Sequence, residues 1–400
     1  MPWAILGSAC LLAIAMIAPM FCVPPMEHIL KEELQLTHAQ TSLLFTAPMI
    51  MIVALAIPAG LIADRIGVRK AAGIGAILIA VGTVLRGTAN SASTLLAFTF
   101  IYGVGLGWSF PNLPKLVSTR VPREKVGFAT GIYSAGIPIG AALAMAITMP
   151  LIFPITNGYQ GVFFFWSIPP IVAAVLWWIL VREPSGKDSQ DIVVSKVSKV
   201  TLGRVLKHRN LWILSITLLL HVFFMYSWAG WSPALMMLKG ATPELAGVIT
   251  STTLWVDIPA FILMPRLADR LGLRKPFLWI PSVALALVAF AAINVPLQMS
   301  WPLMILVGIS DGAKFTTVMS LIVETTSKEE VGLASGLVLS IGYSGGIIGP
   351  LVSGRVLDLT GTLDLSLFIL AAVSVAAAVI VFKLPETGSK LVGKPIDTSG

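Results

Sequence analysis

The sequence predicts an all-α membrane protein of twelve transmembrane helices arranged in two pseudo-symmetric six-helix bundles. Three observations predict it. The composition is too apolar for a water-soluble chain, twelve stretches reach spanning length, and the first half of the chain maps onto the second.

Of the 400 residues, 56% are hydrophobic and 12% charged, with a mean hydropathy of +0.90. Soluble domains carry about twice that charged fraction, so this much apolar surface calls for lipid. The net charge of +8 does not mark a nucleic-acid binder, because the cations fall between apolar stretches instead of along one face. All but five of the 27 Lys and Arg lie on one side of the expected topology. Lys31, Arg86, Lys239 and Arg355 lie on the other, and Lys314 lies within a span. That bias places both termini in the cytoplasm of a multi-pass protein of the cell (inner or plasma) membrane. Arg86, near the outer end of span 3, reads as an interfacial anchor. Cys10 and Cys22 share the first helix about 18 Å apart, too far for a disulfide.

A spanning helix needs about 20 mainly apolar residues. The first half supplies 3–24, 40–63, 71–89, 93–116, 127–149 and 162–181. The second supplies 210–232, 244–267, 277–295, 299–322, 332–355 and 363–383. The first stretch reads as span 1 and not as a cleavable signal. These spans divide the chain into a bundle at 1–181, a cationic cytoplasmic linker at 182–209, a second bundle at 210–384 and a cytoplasmic tail at 385–400. A short surface helix is expected in the linker around Val197–Lys207.

Shifted by 205 residues, 37–131 lies on 242–336 without a gap. Thr37 then meets Thr242, and Gly103, Gly107 and Gly131 meet Gly308, Gly312 and Gly336. The loop after span 2 carries Gly60, Asp64, Arg65, Gly67, Arg69 and Lys70. Its copy after span 8 carries Asp269, Arg270, Gly272, Arg274 and Lys275, with Pro265 in place of the leading glycine. Each glycine permits a tight turn, and the basic residues hold the loop at an anionic surface.

With this loop occurring twice, the chain resembles the major facilitator superfamily. The resemblance covers the whole chain, including Pro385-Glu386-Thr387 after the last span. It implies the major facilitator fold and alternating access about a central cavity, with the duplicated loops as gating latches and not the substrate site. Drug/proton antiporters of the superfamily carry a glycine-rich motif ending in Gly-Pro on span 5. Here Ala144 and Met145 stand where it would end, and the pattern sits on span 11 as Gly336, Gly345, Gly349, Pro350 and Gly354. Span 4 and its exit, with Phe110, Pro111, Asn112, Leu113, Pro114 and Lys115, are similar to the cyanate, nitrate/nitrite and nitroimidazole porters.

Charge at membrane depth marks the candidate substrate and proton site. Asp257 lies on span 8, Asp311 and Lys314 lie one turn apart on span 10, and His221 sits mid-span on span 7. A central charge costs about 2.5–3.5 kcal/mol even on the lenient scale, so such residues usually face a pathway. A structural salt-bridge cluster joining spans 8 and 10 is the other reading, and the two can coexist. At depth the first half offers only aromatic or neutral polar candidates, Tyr102, Trp108, Asn112 and Tyr133. Tyr226, Trp228 and Trp231 fit an outer aromatic belt. There is no phosphate-cradling loop, no metal-ligand spacing and no convincing nucleophile triad.

The expectation is a monomeric secondary transporter of a small organic or inorganic anion, a symporter coupled to protons, with no cofactor, metal, nucleic-acid partner or enzymatic activity. Proton-coupled export of drugs or metabolites is the alternative within that class. A non-transporting membrane sensor on the same fold is the alternative outside it.

Overall fold

A computed structural model describes residues 3–120, 126–181, 199–327 and 330–388. Twelve helices among them are long and apolar enough to span a membrane. In chain order they are Trp3–Leu34, His38–Leu55, Val68–Gly87, Ala92–Val117, Ala129–Thr156, Tyr159–Leu180, Arg209–Leu238, Pro243–Leu271, Pro276–Asn294, Leu297–Thr325, Val331–Thr360 and Asp364–Val381, called spans 1 to 12 below. No strand occurs among the described residues. The twelve expected spans are therefore present. Several run longer than hydropathy indicated, because polar turns extend them beyond the apolar segment. The helix carrying span 2 continues to Ile66, and span 1 breaks at a short 3-10 turn, Pro24–Met26, before resuming.

Local chemistry explains the ends. The span 2 helix opens on a reciprocal cap, in which the Thr37 hydroxyl accepts from the Gln40 N–H and the Gln40 side chain accepts from the Thr37 N–H. Gly67 (φ 90°) and Gly272 (φ 61°) occupy left-handed backbone at equivalent places in the duplicated loops, which glycine tolerates without strain. In the linker the helix Lys199–Lys207 is present. Residues 182–198 of the linker, and 389–400 of the tail, lie outside the described residues.

The chain forms two compact units. One contains the first half with 228–255 and 350–361. The other contains 193–227, 256–349 and 362 onward. The far ends of spans 7 and 11 and the start of span 8 thus belong with the first half. In that unit, Ser42 on span 2 donates to the Pro350 carbonyl at 2.8 Å, as does the Trp231 indole at 3.2 Å. Trp228 and Trp231 are buried, so they do not form the expected aromatic belt; their indoles pack inward. The second unit is held by an apolar core that includes Leu214, Leu218, Leu278, Val318, Leu321 and Val338.

Candidate functional site

Three helices of the second unit bring the charges at membrane depth together, all buried except the half-buried Asp311. Asp257 comes from span 8, Asp311 and Lys314 from span 10, and His221 from span 7. Glycine sets the approach of spans 8 and 10. A Cβ on Gly312 would stand 2.5 Å from the Ala260 Cβ and 2.9 Å from the Phe261 nitrogen. With no side chain there, the helices close until Asp257, one turn before Phe261, faces Asp311. Gly345 on span 11 plays the same part for span 7, since its missing side chain leaves room for the Leu219 carbonyl and the Phe223 nitrogen on either side of His221.

The carboxyls of Asp257 and Asp311 face each other closely enough to interact. Two carboxylates offer only acceptors, so a hydrogen bond between them requires a proton on one of them. The Nε2 of His221 lies 2.6 Å from Asp311 Oδ1. An Nε2–H donating to Asp311 leaves Nδ1 as the free lone pair, and that nitrogen is buried without a partner. Lys314 is 1% exposed and interacts electrostatically with Asp311 and His221. With one proton shared by the carboxyls, a charged Lys314 and a neutral imidazole, the cluster sums to zero charge. One oxygen of Asp257 remains buried and unpartnered, an expensive arrangement in a dry interior.

Trp108, Asn112 and Tyr133 belong to the other unit. Asn112 is fully buried, and its amide donates to the Trp108 carbonyl at 2.7 Å. The Asn112 carbonyl oxygen and the Trp108 indole N–H have no protein partner. Tyr133 is 6% exposed.

The two loop copies share a sequence and use different partners. In the first, Arg69 donates to the Trp178 carbonyl at 3.0 Å and stacks on the Trp178 ring, while the Trp177 indole donates to the Arg69 carbonyl. Arg65 and Lys70 are exposed and Gly60 is half-buried; the Asp64 side chain lies outside the described residues. In the second, Arg274 pairs with Asp269 and Glu324, each at 2.7 Å. Partial burial disfavours its charge, but hydrogen bonds to Glu324 and Asp269 outweigh this and raise its pKa. Glu386 of the Pro-Glu-Thr segment accepts from the N–H groups of Arg274 and Lys275 at 2.7 and 2.9 Å. Lys275 also donates to the Phe382 carbonyl, and Arg270 is exposed. Sequence reading missed Glu324, which looks like an ordinary helix-end acid until the fold places it beside Arg274.

Arg86 corrects the sequence reading. It is not an interfacial anchor but fully buried, because span 3 turns it inward between Pro19 of span 1, Tyr102 of span 4 and Phe163 of span 6.

Twelve spanning helices and a buried charge cluster within one unit define a polytopic α-helical transporter of a small solute. The chain belongs to the Major Facilitator Superfamily, whose family model matches residues 9–242 and 235–397. The 2-nitroimidazole transporter of Escherichia coli (strain K12) is 24% identical over 89% of this chain and 88% of its own. The cyanate transport protein CynX of the same organism is 23% identical over 85% and 86%. Among solved structures, a D-xylose-proton symporter superposes with a TM-score of 0.79 at 15% identity, covering 96% of this chain and 98% of that one. The likeness to the cyanate and nitroimidazole porters drawn from span 4 therefore extends over most of the chain.

Proposed function

We propose that this protein is a symporter that moves a small anion together with protons across the cell membrane, by alternating access, with both termini in the cytoplasm. The observation that carries the reading is the placing of two facing carboxyls, Asp257 and Asp311, beside the buried Lys314, an arrangement that favours one proton shared between the carboxyls. A resting cluster of zero charge can take up an anion at low cost only if it gains a proton as well. An anion drawn to Lys314 displaces Asp311 as its counter-charge, and Asp311 then becomes the second proton acceptor of the pair. His221, bonded to Asp311, is placed to pass that proton. Cargo and proton leave together, and the cluster returns to its shared-proton state. The cyanate transporter's cargo fits this scheme. The nitroimidazole transporter's cargo favours the runner-up, in which a neutral or drug-like molecule is exchanged for protons.

The test is uptake into proteoliposomes under an inward proton gradient, with labelled cyanate or a small carboxylate as cargo. Asp257→Asn and Asp311→Asn are expected to abolish accumulation above equilibrium while retaining exchange of labelled for unlabelled cargo. Gradient-driven accumulation in both variants would refute proton coupling through this pair. Binding without any exchange in the unaltered protein would favour a sensor.

A further inference from the structure

The guanidinium of Arg86 stands apart from the cluster above, in the other unit, and has no carboxylate contact among the described residues. Its surroundings are specific. Span 1 keeps its regular ladder as far as the Cys22 N–H, which bonds to the Ala18 carbonyl, and leaves it at the Val23 N–H, which bonds to the Met20 carbonyl and not to that of Pro19. The Pro19 carbonyl is thereby left to side chains. Arg86 Nη1 donates to it at 2.6 Å, and the Cys22 thiol shares it at 3.4 Å. The guanidinium plane stacks on Phe163, 4.1 Å from its centroid, and on Tyr102 at 5.4 Å. The Tyr102 hydroxyl is turned away to the Met16 carbonyl.

What remains is one edge of the fork. Arg86 Nε and Nη2 are buried and have no partner. These two nitrogens carry parallel N–H bonds on the same side of the planar group, the geometry that grips both oxygens of a carboxylate or a nitrate. A buried cation with two idle donors is strongly disfavoured unless a counter-charge meets it. Stacking on two rings offsets part of that cost and the Pro19 carbonyl another part. Neither satisfies the idle edge.

We propose that the Nε–Nη2 edge of Arg86 is a binding site for a small planar monoanion, of carboxylate or nitrate shape, held inside the first unit between spans 1, 3, 4 and 6. The inference does not rest on the transport reading, since Lys314 belongs to the other unit. Full burial limits the ligand to a few heavy atoms, and the two parallel donors select a planar oxyanion over a spherical halide.

The experiment is thermal unfolding of the purified full chain in detergent, titrated with formate at constant ionic strength made up with chloride. The expected result is a saturable rise in melting temperature with formate that chloride does not give. Arg86→Gln, made together with Lys314→Ala so that the other anion contact is absent, removes the rise. Arg86→Lys keeps the charge but loses the fork, and needs at least about tenfold more formate, the worth of one hydrogen bond to a charged group. Lys314→Ala keeps the rise, which separates this site from the anion contact proposed above. A rise in the double variant equal to that in Lys314→Ala alone overturns the proposal. So does an equal effect of chloride and formate on the unaltered chain, which decides the matter even if the Arg86 variants fail to fold.

Discussion

Removing the carboxylate of Asp358 should loosen the start of span 2, by an amount that can be worked out from the backbone. A helix begins with four N–H groups that have no partner within the helix. Here all four are accounted for. The Gln40 side-chain oxygen takes that of Thr37 at 2.9 Å, and the Thr37 hydroxyl takes that of Gln40 at 3.2 Å. Asp358, from the end of span 11, accepts from His38 at 2.8 Å and from Ala39 at 3.0 Å. Asp358→Ala leaves two donors unmet. Loss of a cap contact costs about 1 kcal/mol, and loss of a negative charge at the positive end of a helix about 0.3–1 kcal/mol more. The sum, about 1–2 kcal/mol, corresponds to a factor of about 5–30 in a local opening equilibrium. Amide hydrogen exchange is the assay. Peptides covering 36–42 should exchange faster by that factor, while the second unit's core around Leu218 and Val338 stays unchanged. Asp358→Asn, which keeps one acceptor, should fall between. Unaltered exchange at 36–42 in a folded Asp358→Ala protein would refute the reasoning, because the helix start would then be held by something other than this carboxylate.

Lys314→Ala should raise the concentration of anion needed for half-maximal uptake by at least about tenfold; an unchanged apparent affinity would dismiss its contact with cargo. Gly312→Val places methyl groups where the Ala260 Cβ already sits, so overpacking of about 1–3 kcal/mol is expected. Melting temperature should fall, and gradient-driven accumulation should fall further, because Asp311 is pushed away from Asp257; equal transport by this variant and the parent would contradict the close-packed geometry. Glu386→Ala frees the N–H groups of Arg274 and Lys275, and faster exchange confined to the start of span 9 is the expected sign. If exchange there is unaltered, Glu386 does not clip the chain's end onto the second loop.

Spanning segments were legible because the lipid requirement is a matter of length and hydrophobicity, readable residue by residue. The duplicated loops were legible for a different reason. Gly67 and Gly272 must adopt backbone that other residues resist, so the same letter recurs at both places. Asp257, Asp311, Lys314 and His221 could be picked out singly, since charge at depth is costly wherever it occurs. Their mutual contacts could not be, because these depend on how closely Gly312 and Gly345 let three helices approach. Arg86 was misread for a related reason. Its distance from the helix end suggested an anchor, but the direction in which span 3 turns it is fixed by packing against Tyr102 and Phe163, partners on other helices. The role of Asp358 was equally hidden, since it lies 320 residues from the N–H it accepts.

Duplication supplies an argument about which of these polar groups serve scaffolding and which serve cargo. A residue the fold itself requires tends to be required in both copies, as Gly67 with Gly272 and Gly107 with Gly312 illustrate. Under the same 205-residue shift, Asp257 falls on Ile52, Asp311 on Leu106, Lys314 on Ser109 and Arg86 on Ala291. Leu106 and Ser109 are fully buried, so the first copy packs well at these depths without a charge. The helix start makes the same point in reverse. The counterpart of His38 is Pro243, which has no N–H to satisfy, and the second copy therefore needs no acid in the place of Asp358. The cap answers a local backbone demand that one copy has and the other lacks. No such demand exists for Asp257, Asp311 or Lys314, and Arg86 answers one at the Pro19 carbonyl with Nη1 alone, leaving Nε and Nη2 unused. Each of these residues is expensive where it sits, and each occupies a position the duplicate fills with an uncharged residue. The uncharged duplicates favour cargo over scaffolding as what offsets the rest of that cost, and on that ground the two anion contacts proposed here, one in each unit, are assigned to Lys314 and Arg86.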